Sequence, residues 1–358
     1  MRRLLPYSGL MAMVVALLVR QLLASSPTVY QQFWFEGLFP RVRTVQVFLF
    51  GWSPLAGYYL LLGLLLFFVI WRFPRKAFKR MAGWLAYLRR MANLAGWLVF
   101  SFLFLWGFNY LDPGMGSRMG IAVASGEQAL AEAYLQAMDR AAQKRSKVAQ
   151  LQDLPHVEAL EHEVDMQDLH QSMRQVLADL GYPMEPEVPV RYLRPAGLLR
   201  RLGISGIFNP WTGEANVDAA FGPLPRLFTT AHEMAHGYGI SSEAEANFAA
   251  YLCCLYLDDP LGPYAAEYAL WRSLGSEVNK SYPAEVIEAL AAAIPAELAA
   301  DRLAIWQSAM QHQAYFPELT DGLNDRYLKI QGVEAGVEDY NAFVGLYLAW
   351  EAARNSSD

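Results

Sequence analysis

Cysteine is almost absent from this chain of 358 residues, which contains only Cys253 and Cys254. Neighbouring residues of a helix point in different directions, so these two thiols are poorly placed for an ordinary disulfide. We expect both to pack as small apolar side chains in a core. The fold is therefore not expected to depend on disulfide bonds.

Acidic residues are nearly missing from the first third of the chain. Residues 1–111 carry twelve Lys or Arg and one acid, Glu36, whereas the remaining 247 residues carry 17 bases and 34 acids. Hydrophobic residues make up 54% of the chain and the mean hydropathy is +0.14, which is too apolar for an ordinary soluble protein. The bases flank apolar segments rather than forming a patch, so we expect no nucleic-acid binding.

Three apolar segments contain no acid and predict transmembrane helices: Leu4–Ala24, Pro54–Phe73 and Leu94–Leu111. Each is close to the roughly 20 residues that cross a bilayer core. The first could instead be a cleaved signal peptide, since a basic start precedes it and Ala24-Ser25-Ser26 follows. Its length and the presence of Arg20 favour an uncleaved helix.

The charges of the loops predict the orientation of these helices. Seven bases and no acid lie between the second and third segments, which places that loop and the N-terminus in the cytoplasm. The loop 25–53 and the domain 112–358 then lie outside the cytoplasm in a multi-pass protein of the cell membrane. The loop 25–53 has an aromatic stripe and is expected to form a helix at the membrane interface, or to pack on the following domain.

A metal site is predicted by His232, Glu233 and His236. Two histidines four residues apart project from one face of a helix and can bind one zinc ion. Glu233 can then act as the base for a water in the open coordination position. Gly237 and Gly239 are expected to end this helix soon after His236.

A third ligand is expected from the helix that Ser241 or Ser242 begins. Glu243 and Asn247 share one face of that helix, so Glu243 can bind zinc while Asn247 hydrogen-bonds a histidine ligand. Glu245 points away from both on this geometry and stays the alternative ligand.

A β-hairpin is predicted upstream of the histidine helix, over Gly203–Asp218. The strand that precedes the helix with His232 and His236 is expected to line the substrate-binding cleft and to pair with an extended substrate. Glu214 and Asn216 would then face the substrate. An ordinary surface hairpin is the alternative.

The other elements are predicted to be helices, at 126–151, 157–180, 264–274, 284–293, 297–315, 319–330 and 337–350. The histidines His156, His162 and His170 are interpreted as packing or surface residues. A group that stabilises the oxyanion of a reaction intermediate is expected from the C-terminal region, where the candidates are His312, Tyr315, Arg326 and Tyr327.

Several of these segments resemble a bacterial membrane-protein family known as domain-of-unknown-function family 3810. The resemblance covers most of the chain and includes residues 106–110, 203–206, 212–216, 231–236, 243–248 and 327–329. The layout also resembles gluzincin peptidases, in which an H-E-x-x-H helix is followed by a helix with an E-x-x-A-[ND] motif. That resemblance implies His232, His236 and Glu243 as zinc ligands and Glu233 as general base. Only six residues separate His236 from Glu243, so the connecting turn must be tight.

The expected fold class is mainly α: three transmembrane helices over 1–111, then an α-rich zincin-like α+β domain over 112–358 with a small sheet beside the active-site helix. The expected function is a membrane-anchored zinc metallopeptidase acting on peptides or proteins. The alternatives are an inactive zincin-fold binding or sensor module, and a structural zinc site. The intact Glu233 disfavours the first of these, and the lack of a nearby fourth ligand disfavours the second.

Overall fold

The computed structural model describes residues 7–71, 81–121, 130–315 and 339–355, with the single positions 318 and 322. The described chain is mainly helical with one small sheet, as predicted. It divides into two compact units: residues 1–112 with 209–214, and residues 113–208 with 215–358.

The first unit contains four helical segments: α1 (Ser8–Ala24), α2 (Pro27–Gly51, partly in π geometry), α3 (Gly57–Trp71) and α4 (Met81–Leu105). A 3-10 turn over Gly107–Leu111 follows α4. Helix α1 packs along α4, where the amide of Gly9 donates a hydrogen bond of 2.7 Å to Asn93 Oδ1. Glycine at positions 9 and 96 allows the backbones of α1 and α4 to approach closely, because a Cβ atom at either position would overlap the other helix.

Fewer helices are long and apolar enough to cross a membrane than the three that the sequence predicted. Among the described residues, Gly83–Leu105 alone is long and apolar enough to cross a bilayer. The pair Ser8–Ala24 and Pro27–Gly51 passes the same test only together, with a bend of 113° between the two helices. Helix Gly57–Trp71 is apolar but shorter, and residues 72–80 lie outside the described part. One or two candidate spans thus support membrane association, and the candidate Gly83–Leu105 begins and ends earlier than the predicted segment 94–111.

The loop 25–53 is helical as expected, but much of its aromatic stripe is buried within the first unit. Trp34, Phe35 and Phe39 are at most 1% exposed. The indole Nε1 of Trp34 donates to Asn109 Oδ1 at 2.8 Å, and the Phe108 ring meets Trp34 edge to face. These aromatic residues therefore form a core, while Phe48 and Trp52 stay exposed.

The second unit contains eight helices of eight or more residues among those described, and most of the sheet. The helices are α5 (Leu130–Lys147), α6 (Met166–Ala178), α7 (Pro223–Gly237), α8 (Glu243–Leu255), α9 (Leu261–Ser281), α10 (Ala284–Ala292), α11 (Ala296–Met310) and α12 (Asp339–Asn355). Helix α8 is central, since it packs against α6, α7, α9 and α12. Its side chains are accordingly buried nearly all round, including Phe248, Tyr251 and both cysteines.

Some predicted boundaries are wrong. The helix expected over 157–180 begins only at Met166, because Asp165 caps it by accepting a hydrogen bond from the Gln167 amide. Helix α9 runs from Leu261 to Ser281, three residues earlier and seven residues later than the predicted 264–274. The helix predicted over 319–330 lies outside the described residues, apart from Gly322.

The sheet has three strands, β1 (Val190–Leu193), β2 (Gly206–Asn209) and β3 (Glu214–Asp218), in the order β1-β3-β2. The predicted hairpin is confirmed as β2 and β3, whose turn is closed by a hydrogen bond of 2.8 Å from the Gly213 amide to the Asn209 carbonyl. Strand β1 was not predicted; it pairs in parallel with β3, with Val190 opposite Ala215. The strand next to α7 in sequence is therefore the central one and has no free edge.

Candidate metal site

The candidate metal ligands are positioned by two consecutive helices, α7 and α8, and the turn between them. Helix α7 ends at Gly237, and the chain reverses at Gly239, whose φ of +104° disfavours any residue with a side chain. Ser242 then caps α8 by accepting a hydrogen bond of 3.3 Å from the Glu245 amide. This tight turn brings the first residue of α8 back to the last turn of α7.

Three ligand atoms converge across this turn. His232 Nε2 lies 3.1 Å from His236 Nε2 and 3.1 Å from Glu243 Oε2, and His236 Nε2 lies 3.6 Å from the same carboxylate oxygen. In a tetrahedral zinc site with bonds of about 2.0–2.1 Å, ligand atoms are separated by about 3.3 Å. The observed separations bracket that value, so the three side chains fit a zinc ion with little rearrangement.

Each histidine is oriented by a hydrogen bond on its far nitrogen. His232 Nδ1 donates to Asn247 Oδ1 at 2.9 Å, and His236 Nδ1 donates to the Ile240 carbonyl at 2.7 Å. Both acceptors require a proton on Nδ1, which leaves the Nε2 lone pairs for a metal. Asn247 therefore makes the hydrogen bond to a histidine that the sequence predicted. The Ile240 carbonyl was not predicted, because any residue type can supply a backbone carbonyl.

The two acids that were candidates for the third ligand make different contacts in the structure. Glu243 faces the histidines, while Glu245 Oε1 accepts a hydrogen bond of 3.1 Å from the Gly116 amide. A Cβ at Gly114 would lie only 2.5 Å from the same Glu245 oxygen, so that carboxylate packs closely on the segment 114–116. Glu243 is thus the acid that the structure brings to the histidines.

The ionisation of the cluster follows from its burial and its charges. The side chains of His232, His236 and Glu243 are 11%, 9% and 15% exposed. Burial alone would lower the pKa of His236, but the carboxylates of Glu243 and Glu233 outweigh it and raise that pKa to about 9. Burial would likewise raise the pKa of Glu243, but the two imidazoles hold it well below its usual range. Glu243 is therefore a carboxylate at neutral pH, as a metal ligand must be.

Glu233 lies beside the ligands on α7 and is 5% exposed. Burial raises the pKa of its carboxyl, while the two histidines and a backbone hydrogen bond from Phe208 act in the opposite direction. A Cβ at Gly206 would come within 2.6 Å of Glu233 Oε1, so strand β2 passes directly over this carboxyl group. A carboxylate of raised pKa beside an open coordination position is suited to act as a general base.

The two residues predicted to face substrate do not do so in the structure. Glu214 is completely buried, and its Oε2 accepts a hydrogen bond of 2.8 Å from the Gly57 amide at the N-terminus of α3. Asn216 is also completely buried, and its side-chain amide donates to the Ile207 carbonyl at 3.3 Å. The hairpin prediction was right, but the side chains that alternate along β3 are all covered.

The remaining candidates lie away from the three ligands or outside the described residues. His162 pairs with Asp259 at 2.6 Å, and His170 is buried 4.0 Å from Glu187. The His312 ring lies next to Gly197, and the backbone amide of Tyr315 donates a hydrogen bond to the Arg201 carbonyl. Arg326 and Tyr327 fall outside the described residues. Among the described residues, His232, His236 and Glu243 are the only group of three or more His, Cys, Asp or Glu side chains arranged to hold a metal ion.

One of the three comparisons with known proteins finds a match. No curated protein and no solved structure matches the chain. One family, described as "Protein of unknown function (DUF3810)", matches residues 34–348, which include the candidate metal ligands and most of the apolar helices. The chain therefore belongs to the DUF3810 family.

Proposed function

We propose that the protein is a membrane-anchored, zinc-dependent metallopeptidase. The observation that carries this proposal is the convergence of His232, His236 and Glu243 within metal-binding distance of one another, with the buried carboxyl of Glu233 beside them. Three protein ligands with one open position are typical of catalytic zinc, whereas structural zinc usually has four protein ligands.

Each residue has a distinct role in this proposal. His232, His236 and Glu243 hold the ion, and Asn247 and the Ile240 carbonyl keep the imidazoles in the tautomer that ligation requires. Zinc at such a site supplies a Lewis acid, which lowers the pKa of a bound water and polarises the carbonyl of a substrate. Glu233 accepts the proton of the attacking water and returns it to the leaving amine.

The strand that serves an extended peptide in this proposal is β2 rather than β3. Strand β2 is an outer strand of the sheet, and both Gly206 and Phe208 lie next to the Glu233 carboxyl. A peptide that pairs with the outer edge of β2 would run past the general base. The second unit would then have a gluzincin-like arrangement of strand, H-E-x-x-H helix and ligand-bearing helix.

The proposal places this domain outside the cytoplasm. It retains three spans and a cytoplasmic N-terminus, because the seven bases between the second and third apolar segments favour a cytoplasmic loop there. Fusing alkaline phosphatase after residue 121 tests this orientation in a bacterial host. Active phosphatase is expected, and an inactive fusion with an active one after residue 78 would reverse the orientation.

The decisive experiment measures zinc and hydrolysis separately on the detergent-purified full chain. We expect about one zinc per chain in the wild type, loss of zinc in His232→Ala and Glu243→Ala, and retention in Glu245→Ala. With a library of quenched fluorescent peptides, Glu233→Gln should abolish hydrolysis while keeping its zinc. Glu288→Gln, the same change at an exposed position of α10, serves as the matched control.

The outcomes separate the proposal from its rivals. Hydrolysis by Glu233→Gln at the wild-type rate would refute the mechanism. Zinc bound through the three ligands without hydrolysis of any peptide in the library would favour a binding or sensor module. A wild type that binds no zinc would refute the metal site itself.

A further inference from the structure

A second candidate site lies in a cavity of about 370 Å³ between α5, α9, α10 and α11. None of the metal-site residues lines it. Its apolar wall is formed by Tyr134, Trp271, Val278, Ile287 and Leu290. The volume falls in the range of sites for small molecules, which are usually mostly apolar with a few convergent polar groups.

The charged groups that line this cavity are all positive. Arg272 and Arg302 contribute to the lining, and no acid does so. Neither guanidinium has a hydrogen-bonded or ion-paired acid among the residues that the structure describes. The guanidinium carbon of Arg302 lies 5.9 Å from the centroid of the Trp271 ring, so this cation is placed next to the apolar wall.

Trp271 is the largest side chain of the apolar wall, and it is 2% exposed. Arg272 and Arg302 are exposed, so their guanidinium groups are accessible at the mouth of the cavity. The cavity therefore combines an apolar wall with two arginines that have no acidic partner among the described residues, in a half of the chain that is acidic overall.

We propose that this cavity binds a small amphipathic anion, with its acidic head group at Arg272 and Arg302 and its alkyl chain along Trp271, Ile287 and Leu290. A carboxylate or phosphate group accepts hydrogen bonds and donates few, which matches a lining of donors. The alkyl chain matches the apolar wall. The site is independent of the metal cluster, so it does not depend on the proposed peptidase activity.

The experiment uses photolabelling of the full chain in a nonionic detergent with a diazirine derivative of octanoic acid. The label is expected in peptides from α9 and α10, identified by mass spectrometry. Octanoate and octyl phosphate should compete, and whichever competes more strongly identifies the head group. Octanol and octyltrimethylammonium have the same chain with a neutral or a positive head, and neither should compete.

Variants of the lining give the quantitative test. The double variant Arg272→Gln/Arg302→Gln should weaken competition by octanoate at least about tenfold, because two charge-assisted contacts are lost. Arg354→Gln, at an exposed arginine on α12, should leave competition unchanged. Ile287→Trp should fill the cavity and remove the labelling while the circular dichroism melting curve stays that of a folded protein.

Three results would overturn the proposal. Octanol could compete as well as octanoate, which would mean that the head group is not recognised. The label could map outside the four helices that line the cavity, or the double-arginine variant could bind octanoate as the wild type does while remaining folded.

Discussion

Replacement of Asn247 by alanine tests whether the histidine ligands are held by their hydrogen bonds. Asn247 Oδ1 accepts the Nδ1 proton of His232 at 2.9 Å, and this bond fixes both the ring orientation and the tautomer. Without it the imidazole can rotate and can protonate at the wrong nitrogen, so the ligand must be reordered each time that a metal binds.

The expected size of this effect follows from the position of Asn247. Removal of a hydrogen-bond partner behind a metal-binding histidine typically weakens metal affinity by 10- to 100-fold, or about 1.4 to about 2.8 kcal/mol. Since the Ile240 carbonyl still orients His236, the loss should stay within this range rather than abolish binding. Asn247→Asp retains an oxygen acceptor for the same proton, so it should bind zinc nearly as tightly as the wild type.

Competition with a zinc-chelating dye at fixed pH measures these dissociation constants directly. Asn355→Ala, at an exposed asparagine near the end of α12, is the matched control and should have no effect. Unchanged zinc affinity in Asn247→Ala would refute the orienting role. Equal losses in the alanine and aspartate variants would show that packing, not the hydrogen bond, is what matters at this position.

Three further predictions concern the same domain. In the metal-free site the neighbouring carboxylates raise the pKa of His236 to about 9, so zinc must displace a proton from this histidine when it binds at neutral pH. The apparent zinc affinity should therefore rise about tenfold for each pH unit from 7 to 9 and then level off. Calorimetry that finds no proton release on zinc binding at pH 7 would contradict this prediction. Asp301→Ala should destabilise the domain by about 3–5 kcal/mol in denaturant titrations, because it leaves the charge of Arg145, now paired at 2.7 Å, buried without a partner. Gly239→Ala should cost about 1–3 kcal/mol of stability and weaken zinc binding, since φ at this turn is +104°; an alanine variant of wild-type stability would show that the turn relaxes freely.

The local part of the site could be predicted from the sequence because helical periodicity determines it. His232 and His236 share a face of α7, and Glu243 and Asn247 share a face of α8, as spacing alone requires. The choice of Glu243 over Glu245 rested on the same periodicity. What holds Glu245 elsewhere is a hydrogen bond to Gly116, 129 positions earlier in the chain, and no local pattern could have revealed it.

The missed strand β1 and the wrong expectation for Glu214 have a different cause, which is contact between segments that are distant in sequence. Strand β1 is only four residues long, and it becomes a strand by pairing in parallel with β3. Parallel pairing joins segments that are far apart in sequence, so a short strand of this kind has little signal of its own. Glu214 was expected on an exposed strand, but it is buried because its carboxylate accepts the Gly57 amide at the start of α3. A buried acid at a helix N-terminus has a structural explanation, which the sequence could not supply without that contact.

The packing of α7 and α8 bears on whether a metal here would serve structure or chemistry. A structural zinc site holds together a region that cannot fold without it. Here α7 and α8 already pack through completely buried apolar side chains, including Met234, Ala235, Phe248 and Ala249. The turn between them is closed by backbone hydrogen bonds from Gly239 and Ile240, and the histidines are oriented by groups that exist without any metal. Because packing, turn closure and histidine orientation all rest on groups of the protein itself, we expect the metal-free domain to stay folded, as the proposed catalytic role requires; a domain that unfolds when a chelator removes its zinc would favour a structural role instead.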